Sequence, residues 1–334
     1  MEKLRMVFAG LRHGHIFSLY NQASANPAIE IVGIAEEDAA TREVLAKEGK
    51  VAVTHDSIDR MLAEVDCNVV AIGDCYARRG AIAIKALKLG KHVVADKPLC
   101  TTLAELDEIK ALAETKNLAV GCMFDLRINP AIVEAKKLID SGKLGKIVQI
   151  QFSAQHPLLR ATRPSWYFDG VSHGGTINDI GSHASDLIPY LVQSPITKIH
   201  AARTWRAVSA EADKMNDAGQ IMFELENGCG VMGDVSYAAT DKQGYSLPTY
   251  WRFNVWGTNG MAEFNCLQRS VRCYYLDEAG PVEIAAQESY PELPTYLDAF
   301  ISEINGKPCA LNTQGILLAA RNILEMQKMA DDQL

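Results

Sequence analysis

The residues that could do chemistry fall in three places along this chain. Lys97 stands two residues past the apolar run His92–Ala95. The carboxyl end of such a strand is where parallel α/β sheets bind ligands, and an ammonium there can hold and polarise a substrate oxygen. Asp179 and His183 are four apart in HGGTINDIGSHASDL. That spacing puts both on one face of a helix, with Asp186 on the same face. An aspartate that fixes a histidine's tautomer and supports its cation makes a general base. Oxidation of an alcohol needs these groups: a donor for the nascent carbonyl and an acceptor for the hydroxyl proton. Plainer readings remain for each, namely a surface lysine before a proline-led helix, a helix-capping aspartate and a packed histidine.

The third place is GLRHGH, Gly10–His15, directly after the first apolar run. A dinucleotide turn asks for G-x-G-x-x-G: one glycine to bend, one for close approach of the pyrophosphate, one for helix packing. Gly10 takes the first place, Arg12 the second and His15 the third, with Gly14 one residue early. Arg12 would put a cation where the phosphates lie. No cysteine or carboxylate is matched to His13 and His15, so no metal site is expected. Glu36 ends the second apolar run, 22 residues beyond Gly14. Its carboxylate can accept hydrogen bonds from the adenine ribose and repel a 2′-phosphate, which favours NAD over NADP. Arg42 works the other way, and a solvated loop acid is the plainer reading of Glu36.

These groups need elements to position them. Up to about residue 125, short β-rich runs (6–9, 29–35, 68–72, 92–95, 118–123) alternate with helical spacing (16–25, 41–48, 58–64, 79–89, 103–115). Continuous apolar strands taken in turn with helices predict a doubly wound parallel sheet of Rossmann type. After one helix at 130–141 the strands follow one another directly: 147–154, 196–206, 220–225, 230–237, 251–257, 261–266 and 271–276. The turns ENG and TNG join pairs of them as hairpins. The expected fold is therefore α/β: a dinucleotide-binding domain over 1–124, then an α/β domain over 125–334 with a large, open, mostly antiparallel sheet. Two tail helices are expected at 294–304 and 313–329, the second capped by Thr313 and free to pack back on the first domain. Pro189 should kink or shorten the helix that carries His183. The stretch HPLLRATRPSWYFD (156–169) reads as a loop over the site, and Trp251 and Trp256 as sheet-face packing beside Phe253.

Composition narrows the class. The 334 residues are 48% apolar and 22% charged, and 41 acids against 33 bases give a net charge of −8. That balance argues against a general nucleic-acid surface. No apolar run approaches a membrane span, and the N-terminus lacks a signal-peptide pattern. Eight scattered cysteines without a CxxC pair read as reduced thiols. A soluble, cytoplasmic, two-domain protein is expected.

Two segments, GKHVVADKPLCTTLAEL (90–106) and HGGTINDIGSHASDLIPYL (173–191), together with the domain order, resemble the Gfo/Idh/MocA family of the glucose–fructose oxidoreductases and inositol dehydrogenases. FDLRINPA (124–131) and GKLGKI (142–147) extend the likeness over essentially the whole chain. The family's E-K-P stands here as Asp96-Lys97-Pro98, and its G-G-x-x-x-D-x-G-x-H-x-x-D pattern is intact from Gly174 to Asp186. The resemblance implies a nicotinamide cofactor and a sugar, polyol or related hydroxy compound, with Lys97, Asp179 and His183 as catalytic residues. It also implies a cofactor site of Gly10, Arg12, His13, Gly14, His15, Glu36, Asp74 and Lys97. Asp74-Cys75 replaces a common Thr-Pro. Substrate contacts are expected from Lys97, Arg127, Trp166, Tyr167, Asp179 and His183, with His156, Arg160, Arg163 and His173 nearby. The implied activity is hydride transfer between NAD and a secondary alcohol, in a homodimer or homotetramer formed through the open sheet. Two alternatives stay open: a non-redox glycosidase or lyase that uses NAD transiently, and a cofactor- and sugar-sensing regulator.

Overall fold

The computed structural model describes residues 3–333. The alternating segments fold as β1 (Leu4–Ala9), α1 (Ile16–Ala25), β2 (Ile29–Ala35), α2 (Ala39–Glu48), α3 (Ile58–Glu64), β3 (Val69–Ile72), α4 (Tyr76–Lys88), β4 (His92–Ala95), α5 (Leu103–Lys116) and β5 (Val120–Cys122). The five strands are parallel, in the order β2-β1-β3-β4-β5. Every residue of β3 and β5 is buried, as strands covered on both faces by crossover helices must be. The strand order reverses between β1 and β3, which opens a crevice at their carboxyl ends. Helices start where a side chain can satisfy an orphan amide: Asp38 accepts from Thr41, Ser57 from Arg60 and Thr102 from Glu105.

The remaining chain forms α6 (Pro130–Asp140), β6 (Ile147–Pro157), α7 (Gly170–His173), α8 (Thr176–Val192), β7 (Ile196–Trp205), β8 (Ala218–Leu225), β9 (Gly230–Ala239), β10 (Arg252–Gly257), β11 (Gly260–Asn265), β12 (Ser270–Tyr275), β13 (Val282–Ala285), α9 (Tyr296–Ile304) and α10 (Thr313–Asp331). Eight strands make one sheet in the order β13-β12-β11-β10-β6-β9-β8-β7. It is antiparallel except between β6 and β9, which run parallel. Register separates the two faces. Phe223, Val231, Ile150, Val255, Ala262 and Cys273 lie side by side across six strands and are buried. The neighbouring row, Met222, Met232, Gln151, Asn254, Glu263 and Arg272, covers the other face. Helices α6 and α8 pack on strands of this sheet.

The chain divides into two compact units. One takes the segment up to Met123 with Val171–Gly174 and Thr295–Arg321, and the other takes Phe124–Gly170, Gly175–Pro294 and the chain from Asn322 on. The tail segment belongs to the first unit through specific contacts. The Val120 amide donates to the Thr313 hydroxyl at 2.8 Å. A Cβ on Gly121 would come within 2.9 Å of the Phe300 ring, which fixes glycine there.

Four expectations need correction. Helix α4 starts at Tyr76 instead of Arg79, because Arg79 faces inward with no exposed surface and a buried arginine breaks the periodicity a sequence offers. Helix α8 is not shortened at Pro189 and runs three residues past it, to Val192. The apolar residues Leu187, Ile188 and Leu191 around it are fully buried, and that packing outweighs one lost backbone bond. Thr313 does not cap α10: Asn312 does, accepting the Gly315 amide at 2.9 Å, while Glu303 accepts the Thr313 amide. Residues 156–169 are not all loop, since β6 extends to Pro157 and Ser165–Phe168 make a 3-10 turn.

Candidate functional site

In the first unit the glycine turn is drawn against the ends of β2 and β3. Gly10 has φ 77°, and a Cβ there would stand 2.6 Å from Asp74 Cβ. Glycine is therefore required. A Cβ on Gly14 would meet nothing within 4 Å, so open space lies beside the turn there. Arg12, where a glycine is usual, holds its guanidinium 3.5 Å from Asp74 Oδ1 and 3.7 Å from Asp38 Oδ1. Glu36 is turned inward, with no exposed surface. Its oxygens accept the amides of Leu11 at 2.6 Å and Asp38 at 2.7 Å. Burial pushes the Glu36 carboxyl up, and those two amides hold it down only in part. Arg42 donates to the carbonyls of Glu36 and Glu37, each at 2.8 Å.

The end of β4 carries Asp96 and Lys97, both buried, and the Lys97–Pro98 peptide is cis. Arg79 clamps this turn. It donates to the carbonyls of Asp96 at 2.9 Å, Pro98 at 3.1 Å and Asp74 at 2.8 Å, and to Asp96 Oδ2 at 2.9 Å. His13 Nδ1 meets the same carboxylate oxygen, and the Tyr76 hydroxyl lies 3.1 Å from His13 Nε2. Asp96 Oδ1 is buried without a hydrogen bond, 3.5 Å from His15 Nδ1. Burial alone would raise the Asp96 carboxyl, but Arg79 and then His13 hold it well below the usual carboxylate range. Burial drives His13 down to about 3 in spite of that neighbour. A carboxylate matched to His13 and His15 thus exists in the fold: the three present ligand atoms within 4.8 Å of one another. Arg79 and His13 already engage that carboxylate, and the guanidinium supplies the countercharge a cation would bring.

These residues fit a dinucleotide at the crevice between β1 and β3. The turn is bent by a glycine that nothing else can replace, open space borders Gly14, and a cation stands at Arg12. An unbonded buried carboxylate oxygen also waits at the end of β4.

In the second unit Asp179 lies in the first turn of α8 and is 1% exposed. Its Oδ2 accepts the hydroxyls of Tyr167, at 2.9 Å, and of Tyr237. The two hydroxyls are 3.0 Å apart. The Arg163 guanidinium lies 4.0 Å from the Tyr167 ring centroid and 5.2 Å from that of Tyr237. One turn on, the His183 ring packs edge-on against Trp251 at 5.5 Å and Phe124 at 6.1 Å. Its Nε2 is 4.0 Å from Asp125 Oδ1. Trp251, with φ 49°, stacks on Phe152 and Phe253, so it joins the sheet core to the histidine.

The flanking residues sort by partner. Arg127 makes a two-pronged ion pair with Asp186 and lies over the Tyr190 ring at 4.4 Å. Burial raises the Asp186 carboxyl against the pull of Arg127. Trp166 is buried beside Tyr167. Arg160 pairs with Asp213, His156 sits among Tyr237, Tyr245 and Tyr250, and His173 lies by Tyr76 in the first unit. Sequence reasoning missed Tyr76, Arg79 and Tyr237. Asp96 stood in the quoted motif without a role. Nothing in the spacing of Tyr237 singles it out, whereas an acid beside Lys97 was a usable signal.

Residues 4–124 match the family model described as an oxidoreductase family with an NAD-binding Rossmann fold, and residues 132–263 match the GFO/IDH/MocA C-terminal domain. The chain belongs to the Gfo/Idh/MocA family. Its first domain is the family's NAD-binding domain, and NAD is the cofactor. Among relatives of this family, D-xylose dehydrogenase of Paenarthrobacter nicotinovorans is 26% identical over 225 residues, 62% of this chain and 57% of that protein. The scyllo-inositol 2-dehydrogenase (NAD(+)) of Bacillus subtilis is 25% identical over 262 residues, 77% of this chain and 72% of that protein. Matches to three of the curated relatives span only 42%, 57% and 39% of their lengths. The fold is shared with an NAD-binding protein from Listeria innocua, with TM-score 0.79 and 20% identity over 99% of this chain and 96% of that one. It is also shared with the aldose-aldose oxidoreductase of Caulobacter crescentus complexed with glycerol, with TM-score 0.77 and 16% identity over 100% and 99% of the two chains.

Proposed function

We propose that the protein transfers a hydride between NAD and a secondary alcohol of a sugar, polyol, inositol or derivative. The buried Asp179 oxygen shared by two tyrosine hydroxyls carries this reading. It is a buried carboxylate one helical turn before His183, and a negative charge nearby favours the cation that a histidine base becomes. Relatives named for D-xylose and scyllo-inositol oxidation support the substrate class. Bound NAD supplies the acceptor for the hydride that leaves the carbinol carbon. Lys97 holds the hydroxyl oxygen and stabilises the charge that develops on it as the carbonyl forms. His183 takes the hydroxyl proton on a ring nitrogen, and Asp179 supports the resulting imidazolium. Tyr167, Trp166 and Arg127 line the substrate side, with Arg127 paired to Asp186.

The test is a panel of sugars, inositols and sugar acids followed by NAD reduction, with Lys97→Met beside the wild type. The variant should bind NAD by calorimetry as the wild type does and lose about 10²–10³ in turnover. Normal turnover in Lys97→Met would remove the lysine from the reaction. Turnover of a sugar without net NADH would replace the dehydrogenase with a non-redox enzyme.

A further inference from the structure

His13 lies in the dinucleotide turn, 8% exposed, with its ring bonded at both nitrogens. Its backbone amide donates to the Gly73 carbonyl at 3.0 Å, which fixes the turn to the end of β3. Its ring reaches the other way, to Asp96 at the end of β4. With a carboxylate on Nδ1, the proton of the neutral ring sits there, and Nε2 accepts from Tyr76. Asp96 is in turn held by Arg79, whose Nη1 grips the carbonyls on both sides of Lys97. Arg79 also lies over the Tyr76 ring at 4.6 Å, closing the ring of contacts. The glycine turn and the Lys97 turn are therefore parts of one buried polar array. Its bonded members hold the two turns against each other, while Asp96 Oδ1 keeps no hydrogen bond.

We propose that His13 is a positioning residue that ties the dinucleotide turn to the Lys97 turn through Asp96, so that NAD and the Lys97 ammonium are set by the same array. The Lys97 half of this inference rests on the function proposed above, while the NAD half does not. The bond that matters is the one from Nδ1. Asparagine at position 13 can present an amide N–H where Nδ1 stands, keeping the link to Asp96 and losing Tyr76. Glutamine reaches the place of Nε2, keeping Tyr76 and losing Asp96. A residue that merely packs the turn would suffer alike from both.

The experiment compares His13→Asn and His13→Gln with the wild type, after circular dichroism shows each folded. NAD binding is read by calorimetry without substrate, and kcat at saturating NAD on a sugar or inositol that the wild type oxidises. His13→Gln should bind NAD about tenfold more weakly than His13→Asn, the scale of one hydrogen bond to a charged group. Its kcat should fall by a similar further factor. Equal NAD affinity in the two variants overturns the link to Asp96. Unequal affinity with equal kcat overturns its extension to Lys97. If only His13→Gln fails to fold, Tyr76→Phe replaces the contrast: it spares the Asp96 bond, and a kcat loss equal to that of His13→Leu overturns the proposal. A wild type that binds NAD but oxidises no member of the panel defeats the proposed function, and the affinity contrast still reads the inference.

Discussion

At the scale of single residues, an acid's type and position do not settle what its carboxylate touches. Glu36 directly follows β2, where a ribose-reading acid belongs, and its oxygens accept the Leu11 and Asp38 amides. Glu36→Ser should therefore loosen the turn and weaken NAD binding by about tenfold, as expected for two lost charge-assisted bonds partly replaced by water. The NAD to NADP ratio should hardly change. Calorimetry with both nucleotides checks this, and a gain in NADP binding at constant NAD affinity would return Glu36 to the ribose. His183 gives the second prediction at this scale. A base must be neutral to accept a proton, so alcohol oxidation should accelerate with pH through the histidine's titration. His183→Ala should lower turnover by about 10²–10⁴ and abolish that limb. Asp179→Asn should move the limb to lower pH, because the imidazolium has lost its supporting charge. An unmoved limb in both variants would give the base role to another group.

At the scale of elements, two joints carry measurable consequences. Burial keeps the ring of His13 neutral in the fold. In the unfolded chain a histidine titrates near ~6.5, whereas in the fold His13 is driven to about 3. Below the higher value the unfolded chain takes up a proton that the folded chain refuses, so stability falls as pH drops through this window. His92, also lowered by burial, acts in the same sense. Urea midpoints should be lower at about pH 5 than at neutrality, and His13→Asn should flatten part of that slope. The second joint is the parallel pair β6–β9, where Gly233 faces Phe152. A Cβ on Gly233 would lie 2.1 Å from the Phe152 ring. Gly233→Ala should cost about 1–3 kcal/mol by overpacking, seen as a lower thermal midpoint, and an unchanged midpoint would mean the ring moves freely.

At the scale of the whole molecule, the eight-stranded sheet keeps one face uncovered by its own helices α6 and α8. Met222 and Met232 pair across it, 45% and 50% exposed. On the same face Arg272 bonds Glu263 at 3.2 Å and also meets Glu283, so charges of both signs lie along it. A face that is partly apolar and carries charges of both signs suits a second copy of itself. Light scattering should find a dimer or tetramer, and Met232→Asp should shift it toward monomer while leaving NAD affinity intact. A monomeric wild type would remove this expectation. Among the described residues, no helix is long and apolar enough to cross a membrane.

Periodicity by itself determined the parallel five-stranded sheet, the mostly antiparallel second sheet and most helix ends, because burial on both faces, burial on one face and capping each leave a local mark. The spacing of Asp179 and His183 likewise fixed their common helix face. Local marks fail where partners come from distant segments. Arg79 stood only as the first residue of a helical spacing, and three carbonyls and Asp96 gather around it in the fold. Tyr237, on a strand 58 residues after Asp179, had no reason to be singled out. Glu36 stands where such an acid is expected and accepts the amides of Leu11 and Asp38. Only the tertiary structure brings those acceptors together, since a buried polar group is satisfied by whatever the fold sets beside it, and sequence spacing says nothing of that.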